Sequence, residues 1–151
     1  MRGVKYTMDS YSQQLKALTV LLRASQSIQE VVRKDVAGYG LNMTEFAVLE
    51  LLYHKGDQPI QMIGKKVLIS SSSITYVVDK LEKKNLAQRR ACPDDRRVTF
   101  TSITEEGKQL MDAIFPKHGQ KVAQIFDRLS AEQLENTIDL VKQIGYRANE
   151  M

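Results

Sequence analysis

The segment Ser70-Ser71-Ser72-Ser73-Ile74-Thr75-Tyr76-Val77-Val78-Asp79-Lys80-Leu81-Glu82-Lys83-Lys84 carries two patterns at once, one apolar and one polar. Ile74, Val77, Val78 and Leu81 share one face at the 3.6-residue period, so the segment reads as a helix with one buried side. Ser72, Ser73, Thr75, Tyr76, Asp79, Lys80 and Lys83 fall on the other side, which is hydroxyl-rich at its start and basic further on. Ser70 or Ser71 is placed to cap it. Just upstream, Gln61 to Val67 reads as a shorter helix joined through Leu68-Ile69. Two short helices across a tight turn make a helix-turn-helix, although this turn lacks the glycine often found there.

Asn85 ends the helix, and the short runs Leu86 to Ala91 and Val98 to Ile103 flank Cys92-Pro93-Asp94-Asp95-Arg96-Arg97. The second run is rich in β-branched and aromatic residues, so the pair reads as a β-hairpin with a charged tip. On the N-terminal side, a long helix from Ser10 to about Val36 carries Leu15, Leu18, Leu22, Ile28 and Val32 and is stopped by Gly38 and Gly40. Thr44 is the expected N-cap of a largely buried helix, Glu45 to Lys55, closed by Gly56-Asp57-Gln58-Pro59. After the hairpin, Thr104 caps a long helix striped by Leu110, Ile114, Val122 and Ile125, with a kink expected at Pro116. Ser130 and Gln133 form a capping-box pattern opening a last helix with Leu134, Ile138, Val141 and Ile144.

The expected fold is therefore mainly α with a small β-hairpin wing, in one domain over residues 1–151. A DNA-binding lobe spans 41–103, and helices over 8–36 and 104–148 flank it. Their apolar stripes are too long to bury against so small a lobe, so a two-fold homodimer is expected.

Charge supports a nucleic-acid partner. Residues 65–97 hold nine Lys/Arg against four Asp/Glu, or +5, whereas the rest of the chain holds 13 against 14, or −1, so all the net positive charge sits in one central segment. A helix entering the major groove needs small polar residues where its backbone nears DNA and cations further along for phosphates. Ser71, Ser72, Ser73, Thr75, Tyr76, Lys80 and Lys83 supply that series. At the hairpin tip, Arg97 is the candidate for the minor groove, with Asp95 holding its guanidinium, and Arg89 and Arg96 are further candidate DNA contacts. The competing reading, a solvated charge cluster in a turn, is weakened by the helix-turn-helix that directly precedes it.

Other classes find little support. There is no Gly-x-Ser-x-Gly, no His-Glu-x-x-His and no phosphate-binding glycine loop, and His54 and His118 fall on separate helices, so no enzyme, cofactor or metal is expected. No run of about 18 apolar residues exists to span a bilayer, and the opening Met1-Arg2-Gly3-Val4-Lys5-Tyr6 lacks a signal peptide's apolar stretch, so a cytoplasmic location is expected. The lone Cys92 fits a reducing compartment and has no intrachain partner.

In this order and spacing, Leu41-Asn42-Met43-Thr44-Glu45-Phe46-Ala47-Val48-Leu49, the run from Ser71 to Leu86, Arg89, and Asp95-Arg96-Arg97 ahead of Thr104-Glu105-Glu106-Gly107 resemble the MarR family of winged helix-turn-helix transcription regulators over nearly the whole chain. The resemblance implies that Arg97 is the wing arginine, Asp95 its partner, and the Ser71 to Lys80 face the base reader. It also implies a homodimer on a palindromic double-stranded operator, acting as a repressor released by a small phenolic ligand or by thiol oxidation. Asn85 replaces the family's usual glycine, which asparagine can do because it tolerates the left-handed conformation. The first helix has no cysteine, so the N-terminal thiol switch of the peroxide-sensing branch is absent. Cys92, surrounded in sequence by Arg89, Arg90, Arg96 and Arg97, is the alternative redox thiol, although a small turn residue is the simpler reading. For a ligand, the family's pocket position points to Phe46, Tyr53, His54, Phe115 and His118, each of which is also an ordinary core candidate. A weaker similarity, over 45–64 and 74–82, is to the quinone- and catechol-responsive branch. The remaining alternatives are a dimeric protein-interaction module without DNA binding and an RNA-binding winged helix.

Overall fold

The computed structural model describes residues 11–67 and 74–151. The order is α1 (Ser12–Ala37), α2 (Met43–Lys55), β1 (Gln58–Pro59), α3 (Ile60–Lys66), α4 (Ile74–Lys83), β2 (Ala87–Ala91), β3 (Thr99–Ile103), α5 (Glu105–Ile125) and α6 (Ala131–Asn149). The chain is mostly helical with one small antiparallel sheet, as expected. Ser70, Ser71, Ser72 and Ser73 lie outside the described residues.

The hairpin gains a third strand. β3 is central, paired with β2 from Ala87↔Ile103 to Ala91↔Thr99 and with β1 at Gln58↔Thr101 and Pro59↔Phe100. Sequence patterning does not reveal β1, because two residues inside a turn-rich segment carry no alternation. Its edge position is what allows a proline in it.

The core is built around α2, whose Phe46, Val48, Leu49 and Leu52 are buried against Ile63 of α3, Ile74, Val77, Val78 and Leu81 of α4, and Met111 and Ile114 of α5. The expected buried face of α4 is thus the observed one. The N-cap of α2 is Asn42, not Thr44. Asn42 is extended (φ −91°, ψ 171°), and its side chain accepts from the Glu45 amide at 2.8 Å while the Glu45 carboxylate accepts from the Asn42 amide at 3.4 Å. Thr44 already lies within the helix. Asn-x-x-Glu at 42–45 was the signal, a capping box led by asparagine. Thr104 and Ser130 cap α5 and α6 as expected. α5 continues through Pro116 as one helix, although the proline ring supplies no N–H to the Asp112 carbonyl. Asn85 does adopt the left-handed conformation, at φ +58°.

The two outer helices bury very little. In α1 only Val36 is buried, while Leu15, Leu18 and Leu22 are 54%, 54% and 58% exposed, and α6 buries nothing. Ile138, Val141 and Ile144 form an open apolar stripe on α6. No helix among the described residues is long and apolar enough to cross a membrane.

Candidate nucleic-acid interface

On α4, burial of Ile74, Val77, Val78 and Leu81 turns Thr75, Tyr76 and Lys83 to solvent. Tyr76 is 59% exposed, and the Lys80 ammonium sits 4.9 Å from its ring centroid. That contact orders both side chains one turn apart through a cation–π attraction. Lys80 itself is half-buried.

At the hairpin tip, Asp95 accepts three hydrogen bonds from Arg97: the backbone amide at 3.0 Å, Nε at 3.1 Å and a terminal nitrogen at 3.2 Å. The guanidinium is held in a fork, yet its side chain remains 90% exposed. The Arg97 side chain and then its amide hold the Asp95 carboxyl below the usual aspartate range. Arg96 is exposed beside it. Cys92 is half-buried where the hairpin leaves the sheet, and its amide donates to the Val98 carbonyl at 3.0 Å.

Arg89 is placed differently from the outward-facing contact its charge suggested. It points back across the sheet to α4, binding Asp79 at 2.7 Å, the Glu82 carboxylate, and the Thr75 carbonyl at 3.2 Å. Burial opposes its charge, but the hydrogen bonds to Asp79 and Glu82 outweigh it and raise its pKa above the ordinary arginine value. Arg89 therefore fixes β2 against the side of α4. A lysine has one compact ammonium in place of this planar fork. Arg89→Lys should accordingly lower affinity for a specific duplex while leaving α-helix content, read by circular dichroism, unchanged.

Three more central cations are also engaged within the fold. Lys66 donates to Gln58 at 2.7 Å, Lys84 to Glu45 at 2.5 Å, and Arg90 pairs with Asp57. Glu45 and Asp57 are far from their partners in sequence and Gln58 is uncharged, so charge counting could not find these contacts.

The five rings singled out as a ligand pocket do come together, from α2 and α5. Phe46 and His118 are 4.5 Å apart between centroids, His54 and Phe115 4.7 Å, and Tyr53 lies 5.0 Å from His54 and 6.2 Å from Phe115. They pack on one another, with Phe46 and His118 buried. Polar bonds pin both ends of the cluster. Tyr53 Oη donates to the Asp112 carboxylate, which with burial raises the phenol above its ordinary pKa. His118 Nδ1 lies 2.8 Å from Asp35 of α1. Asp35 also lines a cleft of about 530 Å³ with Val31, Lys34, Gly38, Tyr39 and Lys121, a space the sequence did not indicate.

A helix-turn-helix followed at once by a sheet with an arginine-tipped wing, set between long helices, defines the winged-helix class of transcriptional regulator. The chain belongs to the MarR family, whose model matches residues 41–99, the segment from the start of α2 to the start of β3. It is 52% identical over 136 residues to the HTH-type transcriptional regulator MhqR of Bacillus subtilis, covering 90% of this chain and 94% of that protein. Among solved structures, AbsC, a MarR-family regulator of Streptomyces coelicolor, matches with a TM-score of 0.84 at 24% identity, over 93% of this chain and 97% of that one. Sco3205 from the same organism, solved in complex with DNA, matches with a TM-score of 0.82 at 22% identity, over 89% and 87% of the two chains.

Proposed function

We propose that this regulator binds a palindromic operator in double-stranded DNA as a homodimer, represses transcription from it, and is released by a small phenolic or quinone-like effector. The observation that carries the DNA-binding reading is the Arg89 clamp. It holds the wing strand to α4, and so connects the exposed Thr75, Tyr76 and Lys83, the half-buried Lys80 and the Asp95-braced Arg97 in one bonded unit. Such a unit suits simultaneous contact with a major groove and the adjacent minor groove. The Sco3205 complex shows that a protein of this fold engages DNA. Arg96 and the serines at 71–73 complete the proposed contact surface.

The dimer is proposed from the outer helices. α1 and α6 expose leucine, isoleucine and valine stripes that a monomer leaves in water, and burying them in a two-fold interface is favourable at roughly 25 cal/mol per Å². A second copy also supplies the second reading unit that a palindrome requires. The effector is proposed to act at the Phe46, Tyr53, His54, Phe115 and His118 cluster, because it joins α2 of the reading lobe to α5 of the outer frame. Its histidines and Tyr53 offer polar partners to a hydroxylated ring.

Selection of bound fragments from a genomic library, followed by affinity measurements against salt, tests the reading. Operator affinity should fall steeply with salt, and Lys83→Ala should weaken all duplexes alike and reduce the log–log slope by about 1. A slope unaffected by Lys83→Ala would remove this lysine from the phosphate-facing set. A salt-independent affinity would instead favour a protein-interaction module. Phenols and quinones should release the operator from Cys92→Ser as readily as from the unaltered protein, whereas release that requires Cys92 would make the wing thiol the sensor.

A further inference from the structure

Lys84 belongs to the basic run that ends α4, and although 40% of its side chain is exposed, its ammonium is turned onto the protein. Its Nζ donates to Glu45 Oε2 at 2.5 Å and to the Gly40 carbonyl at 2.9 Å. The Glu45 side chain is only 4% exposed, and its other oxygen serves the Asn42 amide in the α2 capping box. Gly40 lies in the α1–α2 turn at φ +77°, where few side chains are tolerated. One ammonium thus ties together the end of α1, the start of α2 and the C-terminal end of α4. The backbone leaves it little freedom, because the Lys84 amide bonds to Lys80 at 3.1 Å and the next residues close the helix through Glu82 and Leu81.

We propose that Lys84 is a positioning residue for DNA reading: with Glu45 and Gly40 it locks the C-terminal end of α4 on the α1–α2 junction and so sets the angle at which the helix meets the groove. The inference rests on the proposal that α4 is the reading helix. Its charge is matched by Glu45, so it adds little to the field that attracts phosphates. Its leverage is geometric. Thr75 and Tyr76 lie eight or nine residues back, roughly 12 Å along the axis. A tilt of about 5° at Lys84 therefore moves them by about 1 Å over that length, enough to spoil hydrogen bonds whose range is a few tenths of an ångström. The core beneath α4 consists of aliphatic side chains, which resist separation more than small rotations; the polar lock is directional.

The test uses the full chain, the selected operator and a scrambled duplex of equal length. Lys84→Met keeps the aliphatic stem and removes the ammonium. It should lose operator affinity by about tenfold, the size of one coupling in a hydrogen-bonded network. Affinity for the scrambled duplex and the salt slope should not change. Equal losses on both duplexes, with a slope smaller by about 1, would make Lys84 a phosphate contact and overturn the proposal. So would unchanged operator affinity.

Glu45→Gln gives a second reading that does not depend on the folding of Lys84→Met. Asn42 and Lys84 bond to different oxygens of Glu45, and glutamine replaces one of those oxygens by an NH2 group, so one of the two donors then faces another donor. As a positioning lock, the variant should lose operator selectivity although the lysine is retained. If Lys84 is instead a phosphate contact, freeing it should leave operator affinity the same or tighter, and that result also overturns the proposal. An unaltered protein that shows no preference for its operator would defeat the reading-helix proposal itself, and this one with it.

Discussion

Gly107→Ala is expected to destabilise the fold by about 3 kcal/mol, the upper range for forcing an extra methyl into a packed site. Gly107 is buried in the first turn of α5, where a Cβ would stand 2.2 Å from the Leu86 carbonyl oxygen and 2.7 Å from Ile103 Cγ1. The nearer obstacle is backbone and cannot rotate away. The Leu86 carbonyl is itself fixed, because it accepts from the Thr104 amide at 3.1 Å, while the Thr104 hydroxyl donates to the Asn85 carbonyl at 2.6 Å and accepts from the Gly107 amide at 3.0 Å. The start of α5 is therefore bonded onto the α4–β2 turn, and its close approach requires hydrogen at position 107. For a domain of this size the penalty corresponds to a fall in Tm on the order of 10 °C. Thermal unfolding followed by circular dichroism measures it, and an unchanged Tm would mean that the turn and α5 are not held in this contact.

Arg97→Ala is expected to weaken operator binding by about 1–3 kcal/mol, roughly one to two decades, and to relax preference at flanking A·T pairs. The side chain is exposed, so stability should barely change, which separates this effect from that of Gly107. Asp95→Ala should cost less, since the arginine remains but loses its brace. The brace has a defined pH response. Asp95 has a folded pKa below the ordinary aspartate value, so the contact is fully present above that value and is lost as pH falls through the lower folded pKa. Operator affinity should therefore show no loss attributable to Asp95 between about pH 5 and pH 8, a window set by the ordinary aspartate range. An Arg97→Ala protein with full operator affinity would remove the wing tip from the interface.

Much of this architecture is legible in the sequence because it depends on local pattern. Helical periodicity in Ile74, Val77, Val78 and Leu81 identifies the buried face of α4, and Thr104 and Ser130 mark helix starts with their own hydroxyls. Asn85 announces a left-handed closure in the same way. Side-chain partnerships across the fold are different in kind. Arg89, Lys84 and Arg90 look alike in sequence to Lys83 and Arg96, because charge indicates affinity for an anion without saying whether that anion is a phosphate or a distant carboxylate. Glu45 and Asp57 are such carboxylates, 39 and 33 residues from their partners. The aromatic grouping was indicated by family resemblance rather than by pattern, and strand β1 is too short to leave a pattern at all.

The contact between His118 and Asp35 spans 83 residues, whereas the β2–β3 hairpin and the α3–α4 pair join near neighbours in the chain. Closing the longer loop costs more chain entropy before any contact rewards it. During folding, the reading lobe is thus expected to assemble as a compact nucleus while α1 and α5 are still apart, and the outer helices meet over a lobe already formed. Hydrogen exchange should reflect that order: amides of α2 and β3 would open only with global unfolding, and those near the α1 N-terminus would exchange by local fraying.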